Sequence, residues 1–400
     1  MEMLAERESL RLDQLREVRL PTGLLKVSAR PGRYALDALV GFAARANAKR
    51  GFLFVSKVLG KHWPVRPSVM RELHVSLARD LPATLPGPVI FIAMAETAVG
   101  LGQGVFEAWL DAETTPTREA VFLHTTRYRT GKGALIEFEE VHSHAPRQFL
   151  HMPDDPAITS KFARAHSIVL IDDEASTGNT FVNLAAACRS VNPGIEHVHL
   201  VTITNFMGEE GSRRLMGRFG VPASHSAALH GEFTFEAGHL KPGEAPAQRY
   251  DGEVDRGASG AFGRLGVTAA LPLPRGLAAH LMSTIATNER VLVLGTGEFM
   301  HPAFLLGRAL EAHGVDVVVQ STTRSPILQW GAVTNALSFP DNYGEGIANF
   351  VYNVVPGRYD HVFICHETPP NAALYELAAK VRGRLFHFQP ENIVEEIPVR

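Results

Sequence analysis

Residues 168–180 read Ile-Val-Leu-Ile-Asp-Asp-Glu-Ala-Ser-Thr-Gly-Asn-Thr: four apolar residues, two adjacent acids, then small hydroxyl residues around a glycine. A short β-branched run without polar alternation predicts a strand covered on both faces, and Phe181–Arg189 (FVNLAAACR) continues with helical spacing. The intervening turn then lies at a helix N-terminus, where free backbone N–H groups and the Ser176, Thr177 and Thr180 hydroxyls make a cradle for phosphate. Gly178 allows close backbone approach, and Asp172 and Asp173 stand at the rim, placed for hydroxyls or a hydrated cation.

This stretch resembles the PRPP-binding signature of type I phosphoribosyltransferases. The resemblance implies that Asp172 and Asp173 contact the ribose hydroxyls, and that Glu174, Ala175, Ser176, Thr177, Gly178, Asn179 and Thr180 hold the 5′-phosphate. It also implies Mg2+, held indirectly by the two acids as part of the PRPP complex. Two other readings compete. A Walker B strand also ends in paired acids, but Gly60-Lys61-His62 and Gly131-Lys132-Gly133 lack the hydroxyl residue and leading glycine of its partner loop. An ordinary strand-to-helix turn with a capping Ser or Thr is the other.

Outward from this stretch, strands alternate with helices, which predicts a parallel α/β sheet. The expected elements are a helix over 34–48, strands at 52–55, 89–93 and 120–126, a helix over 100–110, a strand at 197–203 and a closing strand or hairpin at 224–235. Residues 131–156 read as a polar, irregular lid. Residues 237–266 turn to Gly, Pro and isolated charges, the expected domain boundary. The division is a lead-in at 1–29, a first domain at 30–236, a linker or surface excursion at 237–274 and a second α/β domain at 275–400.

The second domain echoes the first. VIFIAMAET (89–97) matches VLVLGTGEF (291–299), bringing Glu96 onto Glu298, and VFLHTTR (121–127) matches VVVQSTTR (317–324), bringing Arg127 onto Arg324. IVLIDDE (168–174) matches HVFICHE (361–367), with Cys365 and His366 in place of Asp172 and Asp173. Strand spacing alone would not repeat Glu and Thr-Thr-Arg, so a degenerate copy of the first core is expected. Pro369 and Pro370 remove N–H donors that a phosphate cradle needs. Met300 stands where a dinucleotide fingerprint has its third glycine.

Thr323-Arg324-Ser325-Pro326, after Gln320-Ser-Thr, is similar to the motif of the TRSP domain, found fused behind a phosphoribosyltransferase in bacterial tellurite-resistance and stress gene clusters. Arg50–Pro67 and His142-Ser143-His144-Ala145-Pro146 resemble that family's first domain. What this implies is an enzyme transferring phosphoribose from PRPP to a small base-like or nucleoside-like acceptor.

Type I enzymes bind pyrophosphate at a strand-to-helix turn, here Ala95-Glu96-Thr97. Glu96 is unusual there: it holds a cation, orients a lysine, or complements a helix dipole. Departure of pyrophosphate needs cations, and Arg127 and Lys132 are the best-placed supply beside Lys57, Lys61 and Arg129. Lys57, Lys61, Trp63, His142 and His144 are candidate acceptor or lid contacts; the two histidines are weak as a metal pair, and Trp63 equally suits packing. In the second domain Glu298, Thr323, Arg324, Ser325, His366 and Glu367 are expected to share a cleft, with Arg324 suited to a carboxylate or phosphate or to a structural ion pair.

Apolar content of 45% and charge of 20% indicate an ordinary globular protein. A net charge of −3 gives no basic field, so no nucleic-acid partner is expected. Two cysteines in apolar patterns suit a reducing cytoplasm, and no apolar run reaches membrane-span length. A homodimer is left open, as is a non-catalytic PRPP or nucleotide sensor acting through the second domain.

Overall fold

The computed structural model describes residues 14–45, 50–112, 119–130, 134–139, 147–238 and 259–398. The first sheet begins with a hairpin, β1 (Gln14–Leu20) and β2 (Gly23–Ala29). Part of the expected lead-in is therefore structured, because alternation buries Leu25, Val27 and Ala29 on one face. A single turn, α1 (Leu36–Leu39), precedes a second hairpin, β3 (Val40–Ala44) and β4 (Phe52–Ser56). Of the helix expected over 34–48, the described residues form one helical turn followed by strand β3. Tertiary packing overrides local propensity there: Gly41 lies so close to the second domain that a Cβ would meet Ala332 Cβ at 2.7 Å.

Then come α2 (Pro67–Arg79), β5 (Val89–Ala93), α3 (Val99–Leu110), β6 (Ala120–His124), β7 (Leu135–Glu139), β8 (Arg147–His151) and α4 (Pro156–Ala163). The lid segment is not irregular throughout, since β7 and β8 pair as an antiparallel hairpin whose Ile136, Phe138 and Leu150 reach the core. Lys132, His142 and His144 lie outside the described residues. The domain closes with β9 (Ser167–Ala175), α5 (Asn179–Val191), β10 (His197–Asn205), α6 (Gly208–Gly217) and β11 (Ala223–Ala237). Sheet order is β1-β2-β11-β10-β9-β5-β6, with β11, β10, β9, β5 and β6 parallel. Helix α3 packs tightly because its glycines permit it: a Cβ on Gly102 would sit 2.4 Å from Ala93 Cβ, and one on Gly104 2.1 Å from His74 Nδ1.

The second sheet contains β12 (Arg290–Gly295), β13 (Asp316–Ser321), β16 (His361–His366), β17 (Arg384–Gln389) and β18 (Ile393–Ile397), in the order β13-β12-β16-β17-β18. A hairpin, β14 (Ala336–Phe339) and β15 (Asn349–Tyr352), precedes β16. Helices α7 (Leu277–Met282), α8 (His301–Ala312) and α9 (Ala372–Val381) complete the domain. Substituting β12 for β5, β13 for β6, β16 for β9 and β17 for β10 reproduces the first sheet's order, including a hairpin inserted between the second and third strands. The second domain is a copy of the first core in topology. It departs at β18, which is antiparallel where β11 is parallel.

The strand ladders correct the sequence register by one residue. Ala93 pairs with Ile171, and its counterpart Gly295 pairs with Cys365. The counterparts of Asp172 and Asp173 are therefore His366 and Glu367, not Cys365 and His366. Part of the expected linker is also built into the fold: Phe122 and Val267 exchange backbone hydrogen bonds of 2.8 and 2.9 Å. Among the described residues no helix is long and apolar enough to cross a membrane.

Burial also sets an expected acid response. Burial, with Lys61 adding to it for His62 and Arg264 for His124, lowers His62 to about 3 and His124 to about 4. Burial lowers His199 and His366 to about 4. Unfolded imidazoles protonate near 6.5. Below that pH the unfolded chain takes up protons the folded chain refuses, so stability is lost as pH falls from 6.5 toward 4, with a limiting slope of ~5 kcal/mol per pH unit for four such sites. Urea midpoints should fall steeply between pH 7 and 5.5; equal midpoints would contradict neutral buried rings.

Candidate active site

The parallel order runs outward in opposite directions from β5 and β9, so the crevice at their carboxyl ends is the topological switch point, where open α/β sheets bind ligands. The turn after β5 carries Ala95, Glu96 and Thr97, and the end of β9 carries Asp172 and Asp173. Met94 N–H donates to Ile171 O at 2.9 Å, tying the two strand tips together. Arg127 follows β6, the next strand out, so three of the expected site segments emerge from adjacent tips.

Asp172 and Asp173 are half-buried, with Asp173 N–H donating to Asp172 Oδ1 at 2.9 Å. Gly178, at φ 70°, turns the chain into α5, whose first-turn N–H groups are left without a capping side chain. A left-handed φ suits glycine, and a Cβ here would also lie 2.3 Å from Leu215 Cδ2. Ala175 is a buried strand residue whose carbonyl accepts from Phe206 N–H at 2.9 Å. The Glu174 carboxylate turns away to Arg50 Nη2 at 2.6 Å, although burial still raises its pKa against the attraction of Arg50. Asn179 Oδ1 accepts from Arg218 Nη1 at 2.7 Å. Ser176, Thr177 and Gly178 form the turn, and Asn179 and Thr180 open α5.

At the β5 turn a cis peptide joins Ala95 and Glu96, and Ala95 N–H donates to Thr125 Oγ1 at 2.8 Å. Glu96 is buried and engaged by two cations, Lys61 Nζ at 2.5 Å and Arg324 Nε at 3.3 Å. Burial would raise its carboxyl, but Lys61 and Arg324 together hold it below the usual range. Burial lowers the Lys61 ammonium even against the pull of Glu96, while Nζ meets three acceptors, the Glu96 carboxylate, Gly297 O at 2.8 Å and Ser321 Oγ at 3.3 Å, which match the three donors of an ammonium. Glu96 thus orients a lysine, as one reading of the sequence allowed. Lys61 itself is 1% exposed, so it is not a free cation for ligand. Lys57 Nζ donates to Asp37 O at 2.9 Å, and Trp63 packs in the second domain's core.

The expected second-domain cleft is filled by the protein. Arg324, with 10% of its side chain exposed, is held between Glu96 and Glu345, so the structural ion pair is what forms. Glu298 accepts from Arg127 N–H at 2.9 Å and from Thr126 Oγ1 at 2.7 Å, both in the first domain. Glu367 and Glu298 share Arg264, at 2.6 and 2.9 Å. His366 stacks on His387 with rings 5.2 Å apart, Thr323 pairs its backbone with Phe350, and Ser325 O accepts from Tyr352 Oη at 2.7 Å. Arg324, Glu298 and Glu367 meet their partners at the boundary between the two domains, whereas these contacts of His366, Thr323 and Ser325 lie within the second domain. Arg264 was missed because its surroundings read as linker.

A family model described as phosphoribosyl transferase matches residues 39–232, and one described as the TRSP domain C-terminal to it matches 263–381. The chain belongs to the phosphoribosyltransferases that carry a TRSP domain. No curated protein matches it. Among solved structures, the adenine phosphoribosyltransferase of Trypanosoma brucei is similar over 48% of this chain and 77% of its own, at 15% identity and a TM-score of 0.33. Those of Giardia lamblia and Rhodothermus marinus are similar over 48% of this chain and 94% of theirs, each at 14% identity, with TM-scores of 0.30 and 0.32. The family match makes the chain an enzyme of the phosphoribosyltransferase class, and its TRSP domain repeats the strand order of the first domain.

Proposed function

We propose that the first domain transfers phosphoribose from PRPP to a base-like or nucleoside-like acceptor. The observation that supports this most is the switch-point crevice, which sets the paired acids Asp172 and Asp173 beside an uncapped helix N-terminus. In this reading the two carboxylates hold the ribose hydroxyls, Ser176–Thr180 cradle the 5′-phosphate, and the turn 95–97 receives pyrophosphate through backbone groups. A nitrogen of the acceptor bonds to C1 of the ribose as the C1–O bond to pyrophosphate breaks; pyrophosphate leaves with the bonding electrons and the nitrogen loses its proton. Charge develops on the sugar ring, so positioning and electrostatics carry the rate and no protein nucleophile is required.

Magnesium fits the crevice. Half-buried adjacent carboxylates are hard oxygen donors suited to a cation that keeps several waters and phosphate oxygens. Bound there, it would offset the charge of the departing pyrophosphate. Arg127 and Lys132 are the side chains we assign to the same task. We place the reaction in a cytoplasmic stress or tellurite-resistance pathway, on the strength of the TRSP domain alone.

Turnover of labelled PRPP against a panel of bases and nucleosides tests this. Acceptor-dependent pyrophosphate release is expected. PRPP binding without turnover on any acceptor would instead favour a sensor.

A further inference from the structure

The two domains meet through reciprocal contacts between equivalent residues. Before its core helices, each copy sends a short arm across the boundary to the other copy's edge strand. Val65 exchanges backbone hydrogen bonds with Val319 of β13 at 3.0 and 2.7 Å, and Gly60 O accepts from Ser321 N–H at 2.8 Å. In return Val267 pairs with Phe122 of β6, and Gly263 O accepts from His124 N–H at 3.3 Å. Both arms open with a positive-φ glycine, Gly60 at 72° and Gly263 at 102°, followed by a cation that is 1% exposed, Lys61 or Arg264. Each cation pairs with the glutamate at its own domain's first strand tip, Glu96 or Glu298, and donates across the boundary, Lys61 to Gly297 O at 2.8 Å and Arg264 Nε to Thr126 Oγ1 at 3.4 Å. The glutamates cross too: Glu96 meets Arg324, and Glu298 accepts from Arg127 N–H. At the centre Tyr128 and Tyr343 stack with centroids 4.2 Å apart.

Such reciprocity is what an isologous dimer interface looks like, with each patch meeting its own copy. Here one chain supplies both halves. One half has lost its phosphate cradle, since after Glu367 the chain runs Thr368-Pro369-Pro370 into an Asn371-capped helix. What that half still offers is a set of charged groups aimed at the other half's strand tips.

We infer that the second domain is a built-in partner subunit whose Arg324 is a positioning residue for the first domain's pyrophosphate turn. Arg324 fixes the Glu96 carboxylate on the protein side of the turn, which leaves the backbone of residues 95–97 facing the crevice. Without it, Glu96 loses one of its two close cations, and its negative charge swings toward the place where pyrophosphate binds. The inference rests on the assignment of that turn to pyrophosphate, and it separates two ligands: pyrophosphate touches the turn, whereas ribose 5-phosphate occupies only the Asp172–Thr180 side.

Binding of Mg-pyrophosphate and of ribose 5-phosphate should be measured by calorimetry on the intact chain and its Arg324→Ala and Arg324→Lys variants. The expected result is a loss of at least tenfold in pyrophosphate affinity for Arg324→Ala, ribose 5-phosphate affinity unchanged, and most of the pyrophosphate affinity restored by Arg324→Lys. Equal losses for both ligands would mean that Arg324 merely supports the fold and would overturn the inference, as would unchanged pyrophosphate binding. If the unaltered chain binds ribose 5-phosphate but not pyrophosphate, the turn assignment fails and the inference with it. If it binds neither, the PRPP reading itself fails.

Discussion

Replacing Arg264 with Ala will lower the thermal midpoint by roughly ten degrees, the largest single-residue effect on stability expected in this chain. Arg264 lies between Glu298 and Glu367, which are buried with it, and it donates Nη1 and Nη2 to Glu367 at 2.6 and 2.7 Å. Removing the guanidinium leaves two carboxylates facing each other out of water. Breaking a buried pair in this way costs ~3–5 kcal/mol, and in a domain of this size each kcal/mol moves the midpoint by ~2–4 °C. Arg264→Lys keeps the charge but not the fork that serves both partners, so it should fall between the two. Scanning calorimetry of the three proteins decides the matter; a shift below two or three degrees for Arg264→Ala would mean the carboxylates find water or each other's proton at little cost.

Asp173→Asn is expected to have the largest effect on activity. The substitution keeps size and shape at a half-buried strand tip while removing the charge that a sugar hydroxyl would meet. Charge-assisted hydrogen bonds are worth ~1.5–3 kcal/mol, so kcat/KM for PRPP should drop by roughly 10- to 100-fold with the thermal midpoint unchanged. Full activity in a folded Asp173→Asn protein would remove Asp173 from the site.

What the sequence made legible was local. The apolar run, the acids and the glycine of residues 168–180 name a strand, a turn and a helix start within one window, and the structure places them as β9, Gly178 and α5. The duplication was legible because Glu and Thr-Thr-Arg recur at strand ends, yet the third pairing was misread by one residue. An apolar strand buried on both faces carries no alternation to fix its register, and only the ladder to β12 does so. Residues 34–48 misled for a related reason: Val40–Ala44 is held as a strand by β4 and by the second domain, neither of which a helical window contains. Arg264 and Lys61 were hidden because their partners lie far along the chain. The recurrence Gly-Lys-His-Trp-Pro-Val (60–65) and Gly-Arg-Leu-Gly-Val (263–267) was a visible signal for both arms, and its meaning emerges only once each is seen on the other copy's edge strand. Arg324 illustrates the opposite limit. Its motif marked the domain, but a strand-tip arginine suits a ligand and a buried carboxylate alike, and the choice depends on Glu96 and Glu345 being present.

One working crevice and one retired copy should bind one PRPP. Calorimetric titration of the intact chain with PRPP and magnesium tests this most directly. A single site per chain is the expected result. Two sites per chain, or no binding at all, would contradict it.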